Sequence, residues 1–320
     1  MQDKRHTFIL VGSALLSLTI VALFSYLTRD YTRDDALIYY RYIDNVLDGK
    51  GLVYNEGERF NALTSPLYTY ISIGAAYIVG DIQRSQLVLD ALLLCAASLL
   101  PLLVWRKELP LGVKAFLPLL IVSSRYFYST FGLETTLFLV LVLCALLLFE
   151  QKRLGLLGVV AALLILTRGE SVILVMILIT FYYHEERKLP PLRVFVAPAV
   201  ILIANSIFNS FYYGSILPHT LTAKIAQGKS GLWSSSFSDY WPNFIRLRYH
   251  FQHSFNDNVI QVAMLLSLAI AGVVAFRASR TTLILLLFII GYTAFFLLLG
   301  IPHYFWYYSV YYLAGYVFAV

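Results

Sequence analysis

Between Arg33 and Pro66 the sequence gathers Asp34, Asp35, Arg41, Asp44, Glu56, Glu58, Arg59 and Asn61 into one polar segment, directly after a first long apolar run. Elsewhere charge is scarce, because 59% of the chain is hydrophobic and only 13% is charged, against roughly 25% charged in soluble proteins. A carboxylate at a membrane surface can take the proton of an attacking hydroxyl, and guanidinium or ammonium groups can hold a leaving phosphate. Asp34 and Asp35 supply the first kind of group; Arg41, Arg59, Arg168 and Lys224 supply the second. Adjacent residues of a helix do not share a face, so one aspartate would reach an acceptor while the other orients groups or a cation, and the sequence leaves open which. The competing reading is that the pair only caps a helix. Thr32 or Asp34 could cap a pattern through Leu37, Tyr40, Ile43 and Leu47 that stops at Gly49, where carboxylates suit the positive end of the helix dipole.

The elements that must position these groups are apolar. A mean hydropathy of +0.74 with 16% aromatic residues is the composition of an all-α polytopic membrane protein and excludes a soluble domain of any size. The formal charge of +6 is no nucleic-acid signal, since Lys and Arg fall in short clusters between apolar runs, where the positive-inside rule uses them. Cys95 and Cys144 lie within apolar runs and form no disulfide framework. Phe8 to Leu27 is long enough to span, and the basic Met1 to His6 before it predicts an uncleaved signal anchor with its start in the cytoplasm.

Further runs are Gln86 to Trp105, Ala115 to Phe127, Leu133 to Phe149, Leu154 to Leu166, Ser171 to Tyr183, Val194 to Tyr213, Val259 to Phe276, Thr281 to Gly300 and Trp306 to Val320. With the first, they predict about ten transmembrane helices, some shorter than the usual span of roughly 17 to 25 residues. Pro66 to Val79 suits a juxtamembrane helix better than a crossing. If it does not cross, Arg106-Lys107 with Lys114, Lys152-Arg153, Arg187-Lys188 with Arg193, and Arg277 with Arg280 all face the cytoplasm. Loops 28–85 and 214–258 then lie outside, with the turns 125–132, 167–170 and 301–305. Trp233 and Trp241 are expected at the headgroup level. One membrane domain, 1–320, accounts for the chain.

On the outer side, Glu134 opens a span and Arg168 and Glu170 share a turn between two apolar runs. Glu134 could merely complement a helix dipole, whereas an ionisable pair embedded in a membrane is a functional candidate by default. Lys224 could instead snorkel at a helix end, and His303 could be an interface residue. His250 and His253 have i, i+3 spacing without a third ligand, which argues against zinc. The tyrosines from Tyr304 to Tyr312 read as an aromatic belt rather than a sugar platform.

Four motifs carry a resemblance. Asp34-Asp35-Ala36-Leu37-Ile38-Tyr39-Tyr40-Arg41-Tyr42, with Gly49-Lys50-Gly51-Leu52-Val53-Tyr54-Asn55, Glu58-Arg59 and Thr64-Ser65-Pro66-Leu67-Tyr68, resembles the first periplasmic loop of bacterial GT-C glycosyltransferases of the cell-wall arabinofuranosyltransferase type. Gly132-Leu133-Glu134-Thr135, Leu166-Thr167-Arg168-Gly169-Glu170, and Tyr213-Gly214-Ser215-Ile216-Leu217-Pro218-His219-Thr220 with Lys224 follow in the same order. The resemblance implies a GT-C-like bundle with juxtamembrane helices in the first outer loop. It implies inverting transfer of a hexose or pentose from a polyprenyl-phosphate donor to a glycan, lipid or protein acceptor, at the outer face of the bacterial cytoplasmic membrane, with Asp34 or Asp35 as base. Arg41, Glu58, Arg59, Thr64, Ser65, Tyr68, Glu134, Arg168, Glu170, His219, Lys224 and His303 become candidate donor-binding residues. No cofactor is required; a divalent cation is compatible, although Arg and Lys can hold the phosphate alone. Longer members continue beyond the point where this chain ends at Val320, so an acceptor-binding part is either missing or unnecessary here. A transporter or flippase of lipid-linked sugar also needs many helices and buried charges, but would place them at the midplane within inverted repeats. A scaffold subunit would leave the Asp pair unexplained.

Overall fold

The computed structural model describes residues 2–216, 218–232, 279–302 and 304–318, and every regular element among them is helical. The helices are α1 (Gln2–Leu27), α2 (Ala36–Leu47), α3 (Pro66–Val79), α4 (Ile82–Val104), α5 (Leu111–Val122), α6 (Arg125–Tyr128), α7 (Thr135–Glu150), α8 (Leu154–Thr167), α9 (Val172–Glu186), α10 (Arg193–Tyr213), α11 (Thr220–Lys229), α12 (Arg280–Leu299) and α13 (Ser309–Phe318), with 3-10 turns at Gly169–Ser171 and Phe305–Tyr308. Four stretches are long and apolar enough to cross a membrane: Phe8–Leu27, Ile82–Val104, Arg193–Tyr213 and Arg280–Leu299. The helices Pro66–Val79, Thr135–Glu150 and Leu154–Thr167 are apolar but shorter. By length and composition alone the described residues thus supply fewer crossings than the ten expected, and the run Val259 to Phe276 lies outside them, as do Trp233, Trp241, His250, His253 and His303.

Local signals explain most ends. Pro66 opens α3, where its fixed φ fits the first turn, and Gly80 closes it in the left-handed conformation. The Asp81 carboxylate caps α4 by accepting the Arg84 amide at 2.7 Å. The run Ala115 to Phe127 is broken at Ser123 and Ser124 into α5 and α6, and the last run opens with the 3-10 turn rather than an α-helix. At the centre, α4 packs against α7, α3, α1 and α5. Helix α7 is buried on every side, from Thr135 to Phe149.

Helix α2 forms where the pattern from Leu37 to Leu47 predicts it. It ends at Leu47, and its buried face is Ala36, Tyr39, Tyr42, Ile43 and Asn45, leaving Leu37 and Leu47 exposed. The face is chosen by hydrogen bonds that a hydropathy stripe does not weigh. Tyr42 donates to the Phe60 carbonyl at 2.7 Å and accepts the Ala62 amide at 3.1 Å, while the Asn45 amide group donates to the carbonyls of Val53 and Tyr54 at 2.8 and 2.9 Å. From α10, Tyr213 donates to the Leu52 carbonyl at 2.7 Å and Tyr212 accepts the Leu52 amide at 3.0 Å. The loop after α2 is thereby tied down along its length.

Helices α7, α8, α9 and α12 share a polarity. One end of this set carries Arg280, which pairs with Glu150 at 2.8 Å and with Glu185, and Lys152, which pairs with Glu186 at 2.7 Å. The other end carries Glu134, Arg168, Glu170 and Ile301, which line a single cavity. Gly132 sets the start of α7 against α2. Its φ is +85°, and a Cβ there would lie 2.6 Å from the Cβ of Ala36 and 3.3 Å from the Tyr40 hydroxyl. Replacing Gly132 by Ala should therefore destabilise the protein by about 1–3 kcal/mol through overpacking, with left-handed strain in addition. Thermal unfolding in detergent measures this, and an unchanged midpoint would show that the α2–α7 contact is slack.

Candidate active site

A cavity of about 440 Å³ opens where α2, the loop before α3, the start of α7, the Arg168–Glu170 turn, α11 and the 295–307 segment meet. Its polar wall is Asp35, Tyr39, Thr64, Glu134, Arg168, Glu170 and Lys224, and its apolar wall includes Ile38, Leu133, Phe296, Ile301 and Trp306. Few polar groups converging on an apolar pocket of this size are the ordinary form of a small-molecule site.

Arg168 is the centre of the polar wall. Only 5% exposed, it donates from Nε to Glu170 Oε1 at 2.7 Å, and its Nη1 lies 3.4 Å from Glu134 Oε1. The second contact is an ion pair by distance without hydrogen-bond geometry, and Nη1 finds no hydrogen-bond acceptor among the described residues. The guanidinium also lies 4.7 Å from the Tyr307 ring centroid and 5.4 Å from that of Phe138. A buried charged donor left without an acceptor is costly, and Arg168 lines the cavity. Glu134 is held in turn. Its Oε2 accepts the Tyr39 hydroxyl at 3.0 Å, and because a phenol has one hydrogen, the Thr64 hydroxyl donates to Tyr39 across 2.9 Å. Burial and the Glu134 carboxylate push the Tyr39 hydroxyl well above its usual pKa, which keeps it a donor. Glu134 makes no capping hydrogen bond at the start of α7, and it lines the cavity.

The two aspartates separate. Asp35 lines the cavity and makes no capping hydrogen bond to α2. Asp34 is exposed, and its carboxylate accepts the Asp35 amide at 3.0 Å. Burial raises the Asp35 carboxyl above its ordinary value; the Lys224 ammonium opposes this, and the Asp34 and Glu134 carboxylates add to it. Lys224 approaches over the Tyr304 ring, 4.1 Å from its centroid, so it points into the cavity instead of snorkelling outward. Burial lowers its pKa to about 8 against the pull of Asp35 and Glu134.

The other sequence candidates among the described residues, apart from Thr64, lie off the cavity. Arg41 is exposed, donating to the Tyr54 carbonyl at 3.2 Å, and Glu58 is exposed, accepting from Asn55 at 3.0 Å. Arg59 lies over the Tyr212 ring. Ser65 is the buried residue before α3, and Tyr68 is buried with its hydroxyl on Asp90 at 2.9 Å. His219 stacks on Phe60 with centroids 4.7 Å apart, and its amide bonds the Asn61 carbonyl at 3.0 Å, anchoring α11 to the first loop. The aromatic belt does not form: Trp306, Tyr307, Tyr308, Tyr311 and Tyr312 are buried, and the first two line the cavity. Tyr39, Trp306 and Tyr307 are wall residues that the sequence reading missed. Their signal was weak, because an aromatic residue reads alike as core, belt or wall. Among the described residues no cluster of three or more His, Cys, Asp or Glu could hold a metal.

No family model matches the chain, and no solved structure does. Among curated proteins it is 31% identical over 264 residues to the terminal beta-(1->2)-arabinofuranosyltransferase of Mycobacterium tuberculosis, covering 73% of this chain and 41% of that protein. It is 30% identical over 257 residues to the protein of the same name from Corynebacterium glutamicum, covering 69% and 37%. The chain thus spans about two fifths of the length of these relatives. The similarity relates it to arabinofuranosyltransferases.

Lys224 gives the site a pH signature. Between about 8, its folded value, and about 10.4, its value in an unfolded chain, the unfolded state holds a proton that the folded state has released, so this group makes stability rise with pH across that window. Below pH 8 both states are protonated and its contribution is flat. Unfolding midpoints from pH 7 to 10 should show a rise in wild type, relative to Lys224→Met, confined to that window. Parallel curves for the two proteins would mean that Lys224 titrates as an exposed lysine.

Proposed function

We propose that this chain is the membrane-embedded domain, 1–320, of a glycosyltransferase that moves a pentofuranose from a polyprenyl phosphate to a sugar hydroxyl of an envelope glycan. The observation that carries this reading is the convergence of Asp35, Glu134, Arg168, Glu170 and Lys224 from separate segments onto one cavity. The names of the relatives support the pentofuranose and a glycan acceptor.

Asp35 takes the proton of the acceptor hydroxyl as its oxygen bonds to the anomeric carbon. The bond from that carbon to the phosphate oxygen breaks, and the phosphate leaves with the electron pair. A carboxyl raised by burial is a better base than an exposed one, since catalytic groups work best with a pKa near the operating pH. Arg168 offers Nη1 to the phosphate while Glu134 and Glu170 hold its plane, and Lys224 adds a second positive charge. Tyr39 and Thr64 present hydroxyls from the same wall. A single displacement inverts the anomeric centre, so comparison of donor and product anomers by NMR is a direct check; retention would make Asp35 a nucleophile instead of a base.

The proposed setting is the outer face of the bacterial cytoplasmic membrane, in a bundle of about ten crossings with α2 and α3 lying against the outer leaflet. The polarity of α7, α8, α9 and α12 supports it, because the ends rich in basic residues are opposite the cavity. The charges of the cavity sit at helix ends, which favours an enzyme over a carrier with midplane sites.

Asp35→Asn keeps size and shape, and should lower the transfer rate by roughly 10²- to 10⁴-fold, the usual range for a lost general base. Asp34→Asn should transfer almost as wild type. Equal activity of both variants would remove the base from the mechanism. Arg168→Ala should weaken donor use by about 2–5 kcal/mol, and Lys should restore only part because it lacks the planar fork. For orientation, cysteines at exposed Glu58 and Ser230 should react with an impermeant thiol reagent in intact cells, and cysteines at Lys107 and Arg187 should not. Buried Asn61 would not report. Labelling at Lys107→Cys from outside would reverse every later loop.

A further inference from the structure

Asp90 is the one carboxylate within the long apolar helix α4, and it is fully buried. It does not line the cavity, so it touches no substrate, and the proposed reaction makes no use of it. Its hydrogen bonds are nevertheless arranged around the cavity wall. Oδ2 accepts the Gly132 amide at 2.7 Å and the Tyr68 hydroxyl at 2.9 Å, and Oδ1 accepts the Thr136 hydroxyl at 2.6 Å. Gly132 and Thr136 stand two residues to either side of Glu134, so one carboxylate brackets the residue that faces Arg168. The third bond reaches the same residue by another route. The Tyr68 ring meets the Tyr39 ring edge-on, 5.2 Å between centroids at 81°, and the Tyr39 hydroxyl is the one that Glu134 accepts at 3.0 Å.

We infer that Asp90 is a positioning residue, which acts through Glu134, the ion-pair partner of Arg168 Nη1, to fix where that nitrogen lies in the cavity. This rests on the glycosyltransferase reading for its consequence and on geometry alone for its existence. A buried carboxylate that accepts three donors from α3, the turn before α7 and α7 itself leaves none of those donors unpaired. Deleting it strands all three. Misplacing a substrate-binding group by about 1 Å can cost on the order of 10²-fold in rate, so a residue off the cavity can have a catalytic phenotype.

The alternative is that Asp90 only stabilises the bundle, and a double-mutant cycle separates the two. Asp90→Leu should lower kcat for transfer from a polyprenyl-phosphate pentose, and Asp90→Asn should recover most of the loss. In Asn the remaining oxygen can accept from Gly132 and Tyr68 while the amide donates to the Thr136 oxygen. In a Glu134→Ala background, Asp90→Leu should cost little more, since the group it acts through is gone. Multiplying losses would overturn the inference. Should Asp90→Leu fail to fold, Tyr68→Phe and Thr136→Val each remove one arm and should show smaller, equally non-multiplying losses. Hydrogen exchange without substrate reads the geometry directly. The Gly132 amide and the 130–137 segment should exchange faster in the Asp90 variant, or in Thr136→Val, than in wild type, with distant helices unchanged; unchanged or uniformly raised exchange overturns the inference. A wild-type protein that transfers nothing would sink the function proposed above and leave the exchange result to decide Asp90.

Discussion

Burying one guanidinium organises the cavity end of this protein. Taking the Arg168 charge out of water has a desolvation cost of several kcal/mol that only close opposite charges and hydrogen bonds can offset. Glu170 supplies a charge and a hydrogen bond from two residues along the same turn, and Glu134 supplies a second opposite charge from the start of α7. Those two requirements tie the end of α8 to the beginning of α7. Glu134 then needs a donor of its own, which brings in Tyr39 and so fixes α2. The flat faces of Tyr307 and Phe138 close the remaining sides of the cation. Each partner is a side chain whose own polar end must be satisfied, so the chain of demands runs outward from Arg168 to Thr64, Gly132 and Asp90.

Tyrosine is the usual link in that chain, for a physical reason. In an apolar bundle a side chain that joins two elements must bury a large area and still satisfy one polar atom. Tyr42, Tyr126, Tyr128, Tyr212 and Tyr213 each bond a backbone group at 2.6 to 3.1 Å, fixing a loop without introducing a charge. The segment between α1 and α3 holds charged residues yet is positioned mainly by these neutral ties. Its charges at Arg41, Glu58 and Arg59 stay at the surface, where exposed ion pairs contribute little.

This division explains what could be read from the sequence. The helical class, the position of most apolar runs and the pairing of Arg168 with Glu170 were legible, because a charge in an apolar run has few physical excuses. For Glu134, Arg168, Glu170, Asp35 and Lys224 the sequence predicts a shared membrane side but not their convergence. Their meeting depends on tertiary packing that periodicity does not encode. The pattern Leu37, Tyr40, Ile43 and Leu47 predicts helix α2 but not its buried face, which depends on Tyr42 and Asn45 reaching the next loop. The tyrosines after Tyr304 were misread because an amphipathic ring is equally at home at a headgroup or in a wall. Asp90, a lone carboxylate inside the apolar run Gln86 to Trp105, falls under the same rule as the Arg168–Glu170 pair, that an ionisable group in a membrane needs a reason.

The two cations of the cavity are held in unlike ways, and the difference bears on the proposed chemistry. Arg168 is clamped by two carboxylates and two rings, so its direction is set before any ligand arrives. Lys224 rests on an aromatic face and belongs to α11, whose start is tied to the first loop by the His219 amide and whose Gln227 accepts the Tyr304 hydroxyl at 2.7 Å. Preorganised charge stabilises a developing anion without reorganisation at the moment of transfer, which suits Arg168 to the leaving phosphate. A lysine near its titration point contributes differently. Its charge is favoured by each anion that enters, since an opposite charge nearby raises an ammonium pKa, and an occupied site therefore holds Lys224 more firmly protonated than an empty one. A phosphate entering the cavity as proposed would thus strengthen its own contact with Lys224.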